Sequence, residues 1–197
     1  LVIKNRGNHD CSSRQDWLLI AEPAFDQGKS AMTGRAAIQE QLDKAIELRR
    51  SNKPEEAKEL LQSLLASFPD DPDINCQMAW THDFMGLESE AVAYYERALG
   101  NGLVHERASA LLGLGSTYRC LGEYEKSLRT FDQAIAEFPE NRSFRVFRAM
   151  TLFNLGRHED SVSQLLLQLL DTTSDDSIKS YDRALRFYHD KLSQTWR

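Results

Sequence analysis

The sequence predicts an all-α fold, an α-solenoid of stacked helix-turn-helix units, and three observations predict it. A short pattern, apolar-Gly-x-x-x-x-small, recurs along the chain. Apolar residues inside each copy fall at i, i+3, i+4 and i+7, the spacing of one helix face. Prolines, glycines and asparagines stand at the ends of the copies, where helices must stop.

The pattern is explicit when Met85-Gly86-Leu87-Glu88-Ser89-Glu90-Ala91, Leu121-Gly122-Glu123-Tyr124-Glu125-Lys126-Ser127 and Leu155-Gly156-Arg157-His158-Glu159-Asp160-Ser161 are aligned. Ala57, Ala91, Ser127 and Ser161 then share one small position, at separations of 34, 36 and 34 residues. A larger residue follows each by four places: Leu61, Tyr95, Phe131 and Leu165. Another small residue precedes each by twelve: Ala45, Ala79, Gly115 and Ala149. Small residues at these places let two helix backbones approach closely where they cross.

The first unit, about 38–71, carries Asn52 where later units have glycine, and Pro54 sits in a first helical turn with Asn52 as its cap candidate. The second, about 72–107, lacks a closing proline and has two extra residues around Gly100-Asn101-Gly102, so its turn is expected to be longer. The third, about 108–141, is the most regular, with Leu111, Leu114, Gly115 and Tyr118 on one stripe and Pro139 ending it, as Pro69 ends the first. The fourth runs over about 142–175. An array exposes raw apolar surface at its end unless something covers it. Residues 176–197 supply a capping helix, with Ile178, Tyr181, Ala184, Leu185, Tyr188 and Leu192 on one stripe.

Residues 1–36 do not share the period and read as a disordered or loosely docked extension, of which residues 1–31 are expected to be dispensable. Their one apolar cluster is Trp17 to Ala21.

Leu114, Gly115, Tyr118, Gly122, Tyr124, Phe131, Ala134 and Pro139 of the third unit make the chain resemble the tetratricopeptide-repeat family over residues 37–175. The resemblance implies a right-handed array of four units and a non-catalytic scaffold that binds a peptide or helix in a concave groove. The small stand-alone bacterial members suggest an alternative, a structural homodimer with no separate ligand.

By the same resemblance the groove is lined by the first helix of each unit. That places Leu42, Ile46, Arg49 and Arg50 there from the first unit, and Cys76, Trp80, Asp83 and Phe84 from the second. Leu112, Ser116, Arg119 and Cys120 follow from the third, then Val146, Met150, Phe153 and Asn154 from the fourth. Arg49, Trp80, Asp83, Phe84, Leu112, Ser116, Arg119, Val146, Met150 and Phe153 are the candidate partner-binding residues. Aromatic and arginine side chains are the usual anchors of such contacts, although Trp80, Phe84 and Phe153 could equally complete the stack of neighbouring helices. The carboxylate-clamp members have Lys and Asn where this chain has Leu42 and Ile46, which argues against chaperone tails as ligands.

Composition excludes several other classes. With 30 acidic against 24 Lys and Arg residues the formal charge is -6, and no basic stripe suited to a nucleic-acid backbone emerges. Cys11, Cys76 and Cys120 fit neither a disulfide framework nor a zinc site, so reduced thiols and a cytoplasmic setting are expected. No apolar run approaches the ~18 residues of a membrane span.

Gly7-Asn8-His9-Asp10 matches a fragment of metal-dependent phosphoesterases, but a helical-repeat chain offers no companion ligands. His82, His105, His158 and His189 lack a second His at i+3 or i+4. No cofactor and no catalytic set is indicated. The Arg142, Arg145 and Arg148 run reads either as a site for an acidic group or as pairing with acids of the preceding helix such as Asp132, Glu137 or Glu140.

Overall fold

Pairs of amphipathic helices joined by tight turns account for most of the described residues. The structure, a computed structural model, describes residues 33–196. The expectations placed on Gly7 to Asp10, Cys11, Trp17 to Ala21 and the remainder of residues 1–32 lie outside the described residues. Two units are distinguished, with the boundary between Leu103 and Val104.

The first unit holds α1 (Thr33–Arg50), α2 (Pro54–Ser67), α3 (Pro72–Phe84) and α4 (Glu88–Gly100). The first helix begins at Thr33, so residues 33–36, read above as part of the extension, belong to it. Ala36 and Ala37 favour helix, and Arg35 forms ion pairs with Asp71 and Asp73 at the start of α3. Leu42 and Ala45 of α1, Ala57 and Leu61 of α2, and Ile74 and Met78 of α3 form one buried cluster.

The second unit holds α5 (Arg107–Cys120), α6 (Tyr124–Glu137), α7 (Ser143–Asn154) and α8 (His158–Thr172), followed by the short α9 (Asp176–Lys179) and α10 (Asp182–Tyr188). Among the described residues there are ten helices and no strand.

The turns explain the recurring glycine. Asn52, Gly86, Gly122 and Gly156 all have positive φ, at 59°, 73°, 78° and 75°. The amide one residue later donates to a carbonyl five residues back in every case: Lys53 to Leu48, Leu87 to His82, Glu123 to Tyr118 and Arg157 to Leu152, each at 2.9 Å. This left-handed helix stop requires a residue that tolerates αL, normally Gly and next Asn. Asn52 is therefore the αL residue of its turn rather than the cap of α2, whose N-cap is Lys53 without a side-chain bond. True capping occurs at Asp71, whose carboxylate accepts from the amides of Asp73 and Ile74 at 3.0 Å.

The helix crossings are as tight as the small residues imply. Ala45, Ala57, Ala79, Ala91, Ser127 and Ala149 are fully buried. In the second unit the serine makes a bond across the crossing: Ser127 Oγ donates to the Gly115 carbonyl and Ser161 Oγ to that of Ala149, both at 2.7 Å. A Cβ added at Gly115 would lie 2.7 Å from Cε1 and Cζ of Phe131, so the ring occupies the space that a side chain would need.

The C-terminal segment departs from the expected single helix. It breaks at Ser180–Tyr181 into α9 and α10, and Tyr181, Tyr188 and Leu192 of the expected stripe are exposed. Asp175 caps α9 through the amides of Ser177 and Ile178, while Arg186 of α10 binds Asp171 of α8 at 2.8 Å. These polar ties, with Ser163 Oγ 2.7 Å from His189 Nδ1, hold α10 against α8. Phe187, Tyr188 and Trp196 cluster with one another in edge-on and tilted contacts.

Candidate functional site

The groove positions inferred from the repeat lie on α1 and α3 in the first unit and on α5 and α7 in the second, and burial treats the two sets differently. Every residue of α3 from Ile74 to Phe84 is buried, so the helix has no free face. Trp80 and Phe84 are 6% and 8% exposed, and Asp83 and Arg49 are buried beside them. Arg49 Nη1 donates to Gln77 Oε1 at 3.0 Å and to Thr81 Oγ1 at 3.4 Å, with its guanidinium 5.7 Å from the Trp80 ring centroid. Asp83 accepts from the Tyr95 hydroxyl at 2.7 Å. A buried cation with amide, hydroxyl and aromatic neighbours is satisfied in place.

His82 is buried on the same helix. Its ring stacks on Tyr94 with centroids 5.0 Å apart, and Nδ1 lies 2.9 Å from the Met78 carbonyl, which can only accept, so Nδ1 carries the proton. Burial lowers the His82 pKa below the ordinary histidine value, outweighing the Met78 bond.

The second unit presents an open face. Val146, Met150 and Phe153 of α7 are 37%, 39% and 59% exposed at positions i, i+4 and i+7, a continuous apolar stripe. Phe153 also meets the His158 ring, with centroids 4.7 Å apart. On α5, which packs against α7, Ser116 is buried and Leu112, Arg119 and Cys120 are half-buried. Arg119 Nη1 donates to Asn154 Oδ1 at 3.3 Å, and its buried Nε takes no hydrogen-bond partner. No carboxylate among the described residues pairs with it, so its charge is met only by a neutral amide.

The Arg142, Arg145 and Arg148 run resolves residue by residue. Arg148 pairs with Asp132 of the preceding helix at 2.6 Å, as the pairing reading expects, and also donates to Gln164 at 3.0 Å. Arg142 instead reaches forward to Asp171 on α8 at 2.9 Å. Arg145 donates to the Pro139 carbonyl at 2.6 Å. Glu137, assigned above as one of their acids, is held by Arg107 through two bonds of 2.6 and 2.9 Å, which keep its carboxyl below the ordinary range. Helical spacing could not have revealed the forward contacts, because they depend on how α8 is rotated.

Among the described residues no cluster of His, Cys, Asp and Glu could hold a metal ion, and no helix is long and apolar enough to cross a membrane.

A family model described as Tetratrico peptide repeat matches residues 72–192, and a second, described as Tetratricopeptide repeat, matches residues 42–75. No curated protein matches the chain. Among solved structures the chain is similar to MamA, residue 41 to the end, from Desulfovibrio magneticus RS-1, with a TM-score of 0.63 and 16% identity over 84% of this chain and 100% of that one. It is also similar to YrrB, described as a TPR protein with an unusual peptide-binding site, with a TM-score of 0.61 and 17% identity over 82% of this chain and 87% of that one. At such identities the likeness carries the fold.

Proposed function

The chain belongs to the tetratricopeptide-repeat family, and we propose that it is a non-catalytic scaffold that holds a segment of a partner polypeptide on the α5–α7 face of its second unit. The exposed Val146, Met150 and Phe153 stripe beside Arg119 is the observation that carries this reading. An apolar stripe at helical spacing is suited to the anchors of an amphipathic helix or an extended peptide. Arg119 adds a charge that a carboxylate of the ligand would meet in place of Asn154. The peptide-binding site named for YrrB supports the reading by analogy of fold alone.

Arg49, Trp80, Asp83 and Phe84 enter as supports of the first unit rather than as contacts, because their side chains are already enclosed. A cytoplasmic setting belongs to the same proposal.

The test is capture of partners from native lysate by wild type beside the Met150→Ala/Phe153→Ala variant. Because these side chains are exposed, helical content is expected to stay at the wild-type level while the complex weakens by ~2–4 kcal/mol. Arg119→Glu is expected to weaken a complex with an acidic ligand as well. Full retention of every partner by a folded double variant would sink the reading.

A second reading, homodimerisation without a separate ligand, rests on another surface. Val162, Leu165 and Leu169 of α8 form an exposed stripe at i, i+3 and i+7. Sedimentation would then show a concentration-dependent dimer that Leu165→Glu converts to monomer, and a monomer at all concentrations would dismiss it.

A further inference from the structure

A cleft of about 500 Å³ opens in the second unit between α7, α8 and α10. Four arginines line it: Arg145 and Arg148 from α7, Arg157 from the turn before α8 and Arg186 from α10, against two acids, Asp160 and Asp171. In a chain of net charge -6 this is a local reversal of sign. At ~100° per residue, Arg145 and Arg148 fall on a side of α7 turned well away from Val146, Met150 and Phe153, so the cleft is distinct from the proposed groove.

The internal pairing leaves positive charge over. Asp171 serves both Arg142 and Arg186, at 2.9 and 2.8 Å, Arg186 also pairs with Asp182 at 3.1 Å, and among the described residues Arg145 meets only the carbonyl of Pro139. Most of these pairs are exposed: Arg157 and Asp160 retain 49% and 55% of their side-chain surface, Arg186 and Asp171 41% and 32%, and Asp182 44%, while Arg148 beside Asp132 keeps 24%. Exposed pairs hold their partners weakly, so an incoming carboxylate can take the place of a resident one. Gln164 and Gln168 of α8 add amides that can both donate and accept.

We infer that this cleft is a second binding site, for an acidic segment of a partner polypeptide. The guanidinium groups come from three separate elements and the cleft is open to water, which suits several carboxylates spaced along a chain better than one small anion. Each Arg can meet a carboxylate with two parallel N–H donors.

The test is anisotropy of a fluorescein-labelled oligo-aspartate peptide titrated with the full chain. Saturable binding is expected, weakening as salt is raised from about 50 to 200 mM. Arg145→Glu with Arg157→Glu is expected to lower the affinity by about ten-fold or more through repulsion. Arg145→Lys keeps the charge but gives up the paired donors, and is expected to lose less than Arg145→Gln. Arg145→Gln, which keeps a donor for Pro139, is expected to lose about three-fold and serves if the double variant does not fold. Met150→Ala/Phe153→Ala is expected to bind the peptide as wild type does, which separates this site from the groove. Absence of saturable binding, or equal binding by the charge-reversed variant, would overturn the inference. So would displacement of the peptide by inorganic phosphate at equal concentration, which would make the cleft a small-anion site.

Discussion

Gly115 shows how one residue can be chosen by a single neighbour. The other units carry Ala45, Ala79 and Ala149 at its place, opposite Leu61, Tyr95 and Leu165, and only here does a phenylalanine ring fill the position of the missing Cβ. Alanine at Gly115 would gain ~1 kcal/mol of helix propensity and cost ~1–3 kcal/mol by crowding Phe131. Thermal unfolding is therefore expected to show Gly115→Ala neutral to destabilising, and stabilising once Phe131→Leu removes the ring. A double-mutant cycle in which the two changes simply add would refute the contact. The sequence marked this position as small, but periodicity alone could not tell that a ring sits against it.

His82 makes a second residue-scale prediction, with a definite sign. Burial lowers its pKa in the folded protein, so the unfolded chain binds the proton more readily. The stability it contributes is present above the ordinary histidine value of about 6.5 and is lost as the pH falls through the lower folded value. Between pH 7 and 5 the wild-type melting temperature is expected to fall more steeply than that of His82→Gln. Parallel slopes would show that the ring titrates as it does in water.

At the scale of the element, the helix stops were the most legible feature, since an αL residue leaves a direct trace in composition. Asn52 extends the rule to a unit without the glycine. Asn52→Gly is expected to change stability by no more than ~0.5 kcal/mol, whereas Asn52→Ala should cost ~1 kcal/mol for holding a Cβ at positive φ. Chemical denaturation checks both. The division of the C-terminal segment was not legible, because its apolar period runs unbroken from Ile178 to Leu192. The turn at Ser180 and the bond from Arg186 to Asp171 redirect the chain there, and neither has a periodic signature.

Across the whole molecule the first-helix groove positions meet two fates, most directly at Trp80 and its repeat equivalent Met150. Trp80 and Phe84 are enclosed, while Val146, Met150 and Phe153 stand open. Helical spacing identifies which side chains share a face but carries no information about what covers that face, so it could not separate Trp80 and Phe84 from Phe153, for all of which groove and core stood as rival readings. Their difference should appear in stability. Phe84→Ala is expected to cost ~3–5 kcal/mol as a loss from an enclosed site, and Phe153→Ala less than ~1 kcal/mol as a change at an exposed one. Equal costs in denaturant unfolding would remove the distinction on which the proposed binding face rests.

The ring of Phe131 over Gly115 also bears on how such a chain can be rearranged. Paired with an alanine-bearing first helix such as α3, the α6 helix would drive its ring into a methyl group, whereas moved together with α5 it keeps its own recess. The α5–α6 hairpin is thus a private match between its two helices. Gene duplication and engineered recombination should therefore succeed when they transfer whole hairpins and fail when they cut between α5 and α6, although every repeat has the same outline.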